Sequence, residues 1–353
     1  MTIKMKWLAR AAGTALSAAA ISLMGVGSAM SQPTDMLEIK LALGVIDANF
    51  NPTNASVFKL AESLGYYEKH GVKVTIVALD GTPQAVAALN SGAVDVADIT
   101  MDAAIRLRAD NGLPVRGIVG VSMGGNFLIA AKDEIETMED LKGKAYAIAD
   151  NGSLDHQLTR VVLRSFGMED TDPNFVAIGA PDVRVQALAA GRVDATTVSF
   201  GTYMSIVDVP GVHVLLDSDE FSSRGPALSK FVATLDTTIE AKREALQRFT
   251  DALIDTSRAM AADPQRWIDE AVAARPDLTP DNIKMTSSLI ANRWCVYGCM
   301  NTGQLEKSVD FVYGNPDFAE VKVVGLEDVV DLSFTEKAYE TLGAYDGAML
   351  DAR

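Results

Sequence analysis

The sequence predicts an α/β protein of two lobes, with parallel-rich sheets and two chain segments that cross from one lobe to the other. Strand and helix patterns alternate from Leu37 onward, which is typical of parallel sheets covered by helices on both faces. A segment of fifteen residues also recurs in a related form, with six identical positions. Finally, 353 residues are too many for one ordinary core and suit two.

The repeated segment runs over Val86–Thr100 and again over Val185–Ser199, ninety-nine positions later. Each copy combines the end of a helix, a glycine at Gly92 or Gly191, an aspartate in the turn and a short apolar run. Glycine is typical of a helix end because it adopts the left-handed conformation without strain. The repeat predicts the last half of an αβ unit in each lobe. Chance matching of common residues is the alternative.

The order of the apolar runs predicts where the lobes begin and end. The chain should enter the second lobe at Phe127–Ala131 and return through the polar stretch Asp217–Gly225, and beyond Ile239 the pattern predicts helices alone. The first lobe then comprises residues 37–125 and 225–353, and the second comprises residues 126–224. Two crossing segments of this kind are typical of a hinge.

The first 31 residues have the pattern of a secretory signal peptide. Three basic residues precede an Ala-rich apolar run, Ala11–Val26, and small residues follow through Ser31. We expect cleavage after Ala29 or Ser31, and no lipid anchor because no cysteine stands in this zone. A membrane-spanning helix is the alternative, but the apolar run is short for one.

Charge and cysteine content exclude some classes of partner. Removal of the leader takes three positive charges from a net charge of −16 and leaves about −19, a surface that repels nucleic acid and anionic membranes. The two cysteines, Cys295 and Cys299, could form a small disulfide loop in an exported protein, and two free thiols are the alternative. A metal site would need further ligands, and none of the three histidines is near in sequence.

Ligands of open parallel sheets bind at the carboxyl ends of strands, so the turns after the predicted strands form the candidate site. The most informative is Asp150–Ser153, where the N–H groups at a helix start and the Ser153 hydroxyl could hold a carboxylate, sulfonate or carbonyl. Ser153 could instead only cap its helix, and Thr82 has the same ambiguity. The two repeat copies should place Thr100–Asp102 and Ser199–Tyr203 on opposite walls of one cleft.

Further side chains near these turns are candidate ligand contacts, and each could instead pack in the core or lie at the surface. His156 could face ligand or solvent, Phe200 and Tyr203 could form an apolar wall or simply pack, and Arg224 could clamp a carboxylate or lie on the surface. The complete set of candidate ligand-binding residues is Asp47, Asn49, Thr82, Thr100, Met101, Asp102, Asn126, Asn151, Gly152, Ser153, His156, Phe200, Tyr203 and Arg224.

No catalytic pattern stands out. The sequence has no Walker loop, no HExxH and no GxSxG motif, and Ser122-Met123-Gly124-Gly125 has no evident His/Asp partner. We therefore expect a protein that is not an enzyme and that uses neither a cofactor nor a metal.

Several segments together resemble the periplasmic binding proteins of ABC importers in the nitrate/sulfonate/taurine and thiamine-pyrimidine group. These are Leu60–Val72 (LAESLGYYEKHGV), Met138–Lys144 (MEDLKGK), Gly152-Ser153 with His156, and Asp331–Phe334 (DLSF). The resemblance extends over essentially all of the chain after the leader. It implies a type II, Venus-flytrap fold with a two-strand hinge, a periplasmic location, a small organic ligand and the membrane permease subunits of an importer as partners. It also implies a monomer.

Two turns depart from the pattern of this group. Thr100-Met101-Asp102-Ala103 stands where proline-containing turns are usual, and Ser199–Tyr203 stands in place of a W-[DE]-P-Y segment. The ligand of the group therefore does not carry over, and we expect an organic molecule with an anionic or carbonyl end and an apolar or aromatic body. A pyrimidine-precursor enzyme of the same fold and a ligand-sensing ectodomain are the rival functions.

Overall fold

The computed structural model describes residues 36–44, 50–79, 81–121, 126–224 and 230–351. Within these ranges the strands are β1 (Leu37–Leu43), β2 (Val72–Ala78), β3 (Val96–Thr100), β4 (Val115–Val119), β5 (Phe127–Lys132), β6 (Ala145–Ile148), β7 (Asn174–Ala177), β8 (Ala195–Ser199), β9 (Val212–Leu216) and β10 (Lys230–Leu235). The helices are α1 (Val57–Ser63), α2 (Tyr66–Lys69), α3 (Thr82–Asn90), α4 (Met101–Ala109), α5 (Leu154–Ser165), α6 (Pro181–Ala189), α7 (Phe200–Tyr203), α8 (Ser218–Ser223), α9 (Asp236–Ala262), α10 (Pro264–Ala274), α11 (Pro280–Ile290), α12 (Thr302–Tyr313), α13 (Leu326–Val329) and α14 (Ser333–Leu342).

The strands form two five-stranded sheets of the same plan. The first has the order β2-β1-β3-β10-β4 and the second the order β7-β6-β8-β5-β9. In the first sheet β1 pairs in parallel with β2 and β3, while β10 is antiparallel to both of its neighbours. In the second sheet β6 pairs in parallel with β7 and β8, while β5 is antiparallel to both of its neighbours. We call the first sheet and its helices the first half, and the second sheet and its helices the second half.

The chain passes between the halves twice, from β4 to β5 and from β9 to β10. The strand β10 was not predicted, because it is a single short run that begins with a lysine and leads directly into α9. The return segment Asp217–Gly225, expected to be an irregular polar crossing, contains the helix α8, whose first N–H groups Asp217 caps. The helices α2, α4 and α7 were not predicted either, whereas the predicted alternation of strands and helices is confirmed.

Each sheet is covered by apolar side chains on both faces. In the first sheet one face packs Leu41 and Val96 against Phe249 of α9, and the other packs Ile99 and Phe231 into a separate cluster. The second sheet has an apolar cluster on each face as well. Coverage of both faces agrees with complete burial of the central strands β3 and β8.

The two repeat copies adopt the same local structure. Each contributes the end of a helix (α3 or α6), a glycine with a φ of +71° or +70°, and a fully buried strand at the centre of its sheet (β3 or β8). The glycines allow the chain to leave the helix in the left-handed conformation, as the sequence predicted.

Cys295 and Cys299 form a disulfide in the turn between α11 and α12. Asp351 is buried beside them, and the three residues have potential metal-binding atoms within 4.8 Å of one another, but bonded sulfurs offer no thiolate to a metal. A cavity of about 240 Å³ lies next to this turn, lined among others by Tyr297, Tyr339 and Asp351. None of its described lining residues lies at the end of a strand. In the described ranges, no helix is both long and apolar enough to cross a membrane.

Candidate functional site

The two halves meet at the carboxyl ends of their central strands, which is where open α/β sheets bind ligands. Across this interface Gln84 Nε2 of α3 donates a hydrogen bond to Asp150 Oδ2 at 2.9 Å. Nearby, Gly201 of α7 lies so close to Pro52 that a Cβ atom on the glycine would stand 2.1 Å from the Pro52 carbonyl oxygen. Only glycine permits this approach of the two backbones. We call this interface the cleft.

The turn Asp150–Ser153 does reach the cleft, but its N–H groups are used within the turn. Asn151 N donates to Asp150 Oδ1 at 2.7 Å, Ser153 N donates to Asp150 O at 3.1 Å, and Gly152 N donates to His156 Nδ1 at 2.9 Å. These three amides are therefore engaged within the turn, and the expectation that the N–H groups at the start of α5 face a ligand stays a prediction. Gly152 has a φ of +78°, a conformation that suits its lack of a side chain.

Ser153 is fully buried and its hydroxyl forms no hydrogen bond to the first amides of α5. Instead, Ser153 Oγ lies 2.7 Å from Asp155 Oδ1 and 2.6 Å from Asp150 O, and accepts from Asp150 N at 3.2 Å. These contacts stabilise the turn, so neither of the two roles considered for Ser153 describes its observed contacts.

His156 stabilises the same turn. Its Nδ1 accepts the Gly152 amide, and its ring stacks edge-on against Phe175 with the centroids 4.7 Å apart. Burial lowers the pKa of His156, and the guanidinium of Arg160 lowers it further. A neutral imidazole is required for Nδ1 to accept a hydrogen bond.

Thr82 is buried in the first turn of α3, but it does not cap the helix. The N-cap is Gly81, in an extended conformation, and the Thr82 hydroxyl is buried without a hydrogen-bond partner among the described residues. A Cβ atom on Gly81 would lie 3.6 Å from Ser153 Cβ of the second half. The turn before α3 and the turn before α5, each a candidate from the sequence, thus lie next to each other.

Thr100 and Ser199, the last residues of the two repeat copies, both cap the helix that follows. Thr100 Oγ1 accepts from Ala103 N at 3.4 Å and Ser199 Oγ accepts from Thr202 N at 3.1 Å. Met101 and Asp102 share a cavity with Leu154 and Gln157 of α5, so this wall does face the second half. Burial raises the pKa of Asp102 although the Thr100 hydroxyl, backbone amides and Arg106 oppose the shift.

Phe200 packs against the cores of both halves, whereas Tyr203 is buried in the core of the second half alone. Burial, together with the charge of Asp133, raises the pKa of Tyr203. Tyr203 is therefore a packing residue, the ordinary alternative. The carbonyl oxygen of Asn126 accepts the Phe200 amide at 2.7 Å and thereby places the start of α7.

Arg224 does not lie at the turn Asp150–Ser153. Its guanidinium stacks on Phe166 at 3.9 Å and bonds Glu220 at 2.8 Å and Ser165 at 3.2 Å, beside the carboxyl end of α5. Because Asp150–Ser153 precedes the opposite end of this twelve-residue helix, roughly 18 Å separates the two ends. The two remaining candidates, Asp47 and Asn49, lie outside the described residues.

Three residues at the cleft were missed by sequence reasoning: Gln84, Asp98 and Lys230. Asp98 of β3 and Lys230 of β10 form a buried ion pair, with Lys230 Nζ 3.5 Å from Asp98 Oδ2. The signal that could have found them was a charged residue inside each of two apolar runs, VADIT and KFVATL. Buried charges are rare unless they are paired or functional.

Three buried polar atoms near the carboxyl ends of the first sheet have no partner in the described chain. These are Thr82 Oγ1, Gln84 Oε1 and Asp98 Oδ1. All three belong to the first half, at or near the carboxyl ends of its strands. Chemically they offer a hydroxyl, which can donate or accept, and two oxygens that only accept.

Ion pairs join the halves on both sides of the cleft. On one side Arg160 Nη1 of α5 lies 2.7 Å from Asp317 Oδ2, and Arg164 Nη1 donates to Asn315 Oδ1 at 2.7 Å. On the other side Arg275 Nη2, which follows α10, lies 3.3 Å from Asp182 Oδ1 of α6. These contacts hold the two halves together in the structure.

Comparison with known proteins agrees with this architecture. The profile of the family described as NMT1/THI5 like matches residues 52–267. A binding protein of Brucella abortus (strain 2308) is 27% identical over 219 residues, which are 61% of this chain and 66% of that relative. The chain thus matches just under two thirds of the length of this curated relative.

Solved structures share the fold at low sequence identity. The periplasmic aliphatic sulphonate binding protein SsuA from Escherichia coli is 20% identical, with a TM-score of 0.60 over 83% of this chain and 92% of its own. The periplasmic nitrate-binding protein NrtA from Synechocystis PCC 6803 is 13% identical, with a TM-score of 0.66 over 88% of this chain and 90% of its own. The chain has the periplasmic binding protein fold, and with more than half of its length matched by the profile it belongs to the NMT1/THI5-like family.

Proposed function

We propose that this protein is an extracytoplasmic solute-binding protein that captures a small organic ligand in the cleft and delivers it to the permease of an ABC importer. Its lobes, residues 37–125 with 225–353 and residues 126–224, close on the ligand about the two crossing segments. The protein acts in the periplasm after removal of residues 1–31, as a monomer and without catalysis.

The observation that carries this proposal is the set of three unpartnered polar atoms near the carboxyl ends of the first sheet, Thr82 Oγ1, Gln84 Oε1 and Asp98 Oδ1. A buried polar atom without a partner costs about 1–3 kcal/mol, so three at one edge are expensive to keep for stability alone. A ligand that supplies hydrogen bonds to them gains affinity from the same atoms. The names of the similar proteins, which describe binding of aliphatic sulphonates and of nitrate, support a binding role for the fold.

Closure of the cleft is the second element of the proposal. A ligand shifts an open–closed equilibrium only through contacts that exist in the closed state. Gly81 and Gln84 of the first half lie against Ser153 and Asp150 of the second half, so a ligand placed there would contact both halves.

The test begins with protein exported with its own leader and purified under native conditions. Mass spectrometry of the denatured protein should reveal a released small molecule, and small-angle scattering should show a more compact particle when that molecule is added back. Absence of any released molecule, together with dimensions that no compound changes, would contradict the proposal.

A matched pair of variants locates the binding site. Thr82→Val removes the cleft hydroxyl and should raise the dissociation constant roughly three- to tenfold, since one neutral hydrogen bond is lost. Thr250→Val removes an equally buried and unpartnered hydroxyl from α9, away from the cleft, and should leave affinity unchanged. Equal affinity of both variants and the parent would remove Thr82 from the site.

A further inference from the structure

The ion pair Asp98–Lys230 lies at the carboxyl edge of the first sheet. Lys230 opens β10 and is paired in register with Thr100, the last residue of β3, while Asp98 is two residues earlier on β3. The two residues are 8% and 9% exposed. Lys230 Nζ also donates to Gly44 O, just beyond the end of β1, at 2.9 Å. The pair therefore lies close to Gly44, at the carboxyl end of β1.

One carboxylate oxygen of Asp98 accepts no hydrogen bond. Oδ2 faces Lys230, whereas Oδ1 has no hydrogen-bond partner in the described chain. Asp98 lines a cavity of about 20 Å³ together with Asn51 and Ser56, at the carboxyl end of β1 and the start of α1. A space of this size admits a single water-sized group, such as an amino or hydroxyl group. Burial raises the pKa of Asp98 although Lys230 lowers it, which agrees with a carboxyl that lacks a full set of donors.

The charge of the pair restricts what can bind there. Asp98 and Lys230 together are neutral, and Lys59, which also lines the cavity, is paired with Glu62 at 3.3 Å. An incoming ammonium would therefore stand near lysines and an incoming anion beside Asp98, each with a like charge nearby. A neutral N–H or O–H group avoids both repulsions, so the cavity presents Asp98 Oδ1 as an acceptor for such a group.

We propose that Asp98 Oδ1 accepts a hydrogen bond from a neutral N–H or O–H group at one end of the cleft ligand, such as the amino group of a carboxamide. The inference rests on the proposed function and refines it: among the anionic and carbonyl ends considered for the ligand, it selects the carbonyl type.

The experiment compares two probes of the same shape, benzamide and acetophenone, in which an amino group is exchanged for a methyl group. Thermal unfolding and calorimetric titration are run at millimolar probe with the parent, Asp98→Asn and Asp95→Asn. Asp95 is the matched control, because it also pairs with a lysine, Lys242 at 2.9 Å, but precedes β3 at the opposite edge of the sheet. Ethanesulfonate and nitrate are included as anionic probes.

We expect benzamide to bind the parent and Asp95→Asn, and to bind Asp98→Asn roughly tenfold more weakly, because a bond to a charged acceptor is lost. Acetophenone should bind all three proteins alike. If Asp98→Asn does not fold, the double variant Asp98→Asn/Lys230→Met takes its place, because it leaves no buried lysine without its carboxylate. This variant should show the same loss of benzamide binding.

Equal responses to benzamide and acetophenone, or no response to benzamide, would overturn the inference. So would a native ligand, identified by mass spectrometry, that lacks any neutral N–H or O–H group. The last result, or binding of the anions alone, would still establish a solute-binding protein. Failure of the proposed function is recognised separately, by the absence of any released ligand and of any compaction.

Discussion

Asp95 and Asp194 occupy equivalent positions in the two sheets and form equivalent bonds. Asp95 Oδ2 accepts the backbone N–H of Lys40 in β1, and Asp194 Oδ2 accepts that of Ala145 in β6, both at 2.9 Å. Each aspartate also binds a lysine, Lys242 or Lys132. The aspartate of the repeated segment therefore has a structural task in both halves: it fixes the start of the central strand against its parallel neighbour.

Asp194→Asn should lower the free energy of unfolding by about 1–2 kcal/mol at neutral pH, because two charge-assisted bonds are weakened. Burial alone would raise the pKa of Asp194, but the bonds from Lys132 and Ala145 N hold it below its usual value. The stabilisation is thus present above the unfolded-state pKa, about 4, and is lost as the pH falls through the folded value.

Urea unfolding of the parent and variant between pH 7 and acid conditions measures this difference. Asp346→Asn, an exposed aspartate without a bond of this kind, is the control and should change little. Parent and Asp194→Asn curves that coincide at pH 7 would contradict the assigned task.

The fold was accessible from the sequence because local signals agreed with it. Glycine stops such as Gly92 and Gly191, short apolar runs and helical spacing each describe only neighbouring residues, and parallel pairing follows from their alternation. The strand β10 was missed because six residues between two helices carry no periodicity long enough to recognise. Its position beside β3 depends on contacts with residues more than a hundred positions away.

The site was less accessible, because polar side chains at a turn can be satisfied in several ways. The sequence could place Ser153 and Thr82 at the cleft, but not decide that Ser153 bonds Asp155 while the Thr82 hydroxyl stays unpartnered. Arg224 was chosen for its charge in a crossing segment, and stacking on Phe166 holds it elsewhere. Such choices depend on tertiary packing, which one sequence does not reveal.

Asp351 should make stability depend on pH in the opposite sense to Asp194. Burial raises the pKa of Asp351 to about 6, although the amides of Tyr297 and Cys299 donate to its Oδ2. The folded state then holds the proton more tightly than the unfolded state, so this contribution is present below about pH 4 and is lost as the pH rises through about 6.

Asp351→Asn removes the titration but keeps an oxygen that can accept the two amides. Relative to this variant, the parent should lose on the order of 2 kcal/mol between pH 4 and pH 7. Chemical unfolding across that range measures the difference. Parallel profiles of the two proteins would show that Asp351 does not titrate as assigned.

The disulfide should stabilise the turn that contacts the first crossing segment. Gly298 O accepts the amide of Gly120 at 2.7 Å, and Cys299 has a φ of +50°, which is unfavourable for a residue with a side chain. Replacement of both cysteines by serine should cost roughly 2 kcal/mol, the value for closing so short a loop.

Thermal unfolding with and without a reductant tests this expectation. The parent should lose stability when it is reduced, and the doubly substituted variant should not respond. A parent that is fully reduced by mass, yet unfolds at an unchanged temperature, would contradict it.

The ion pair between Arg160 and Asp317 should favour the closed arrangement of the halves even without ligand. Arg160 belongs to α5 of the second half, and Asp317 lies beside α12 of the first, where its carbonyl oxygen also accepts Arg106 Nη2 at 2.8 Å. Asp317→Asn removes the charge that Arg160 faces and should shift the equilibrium toward the open state by about two- to fivefold, the effect of losing a partly exposed ion pair.

Small-angle scattering of the ligand-free proteins should therefore give a larger radius of gyration for the variant, and high salt should expand the parent toward the same value. Asp310→Asn, an exposed aspartate on α12, is the matched control and should scatter like the parent. If Asp317→Asn and the parent gave the same dimensions at both low and high salt, the pair would have no part in holding the halves closed.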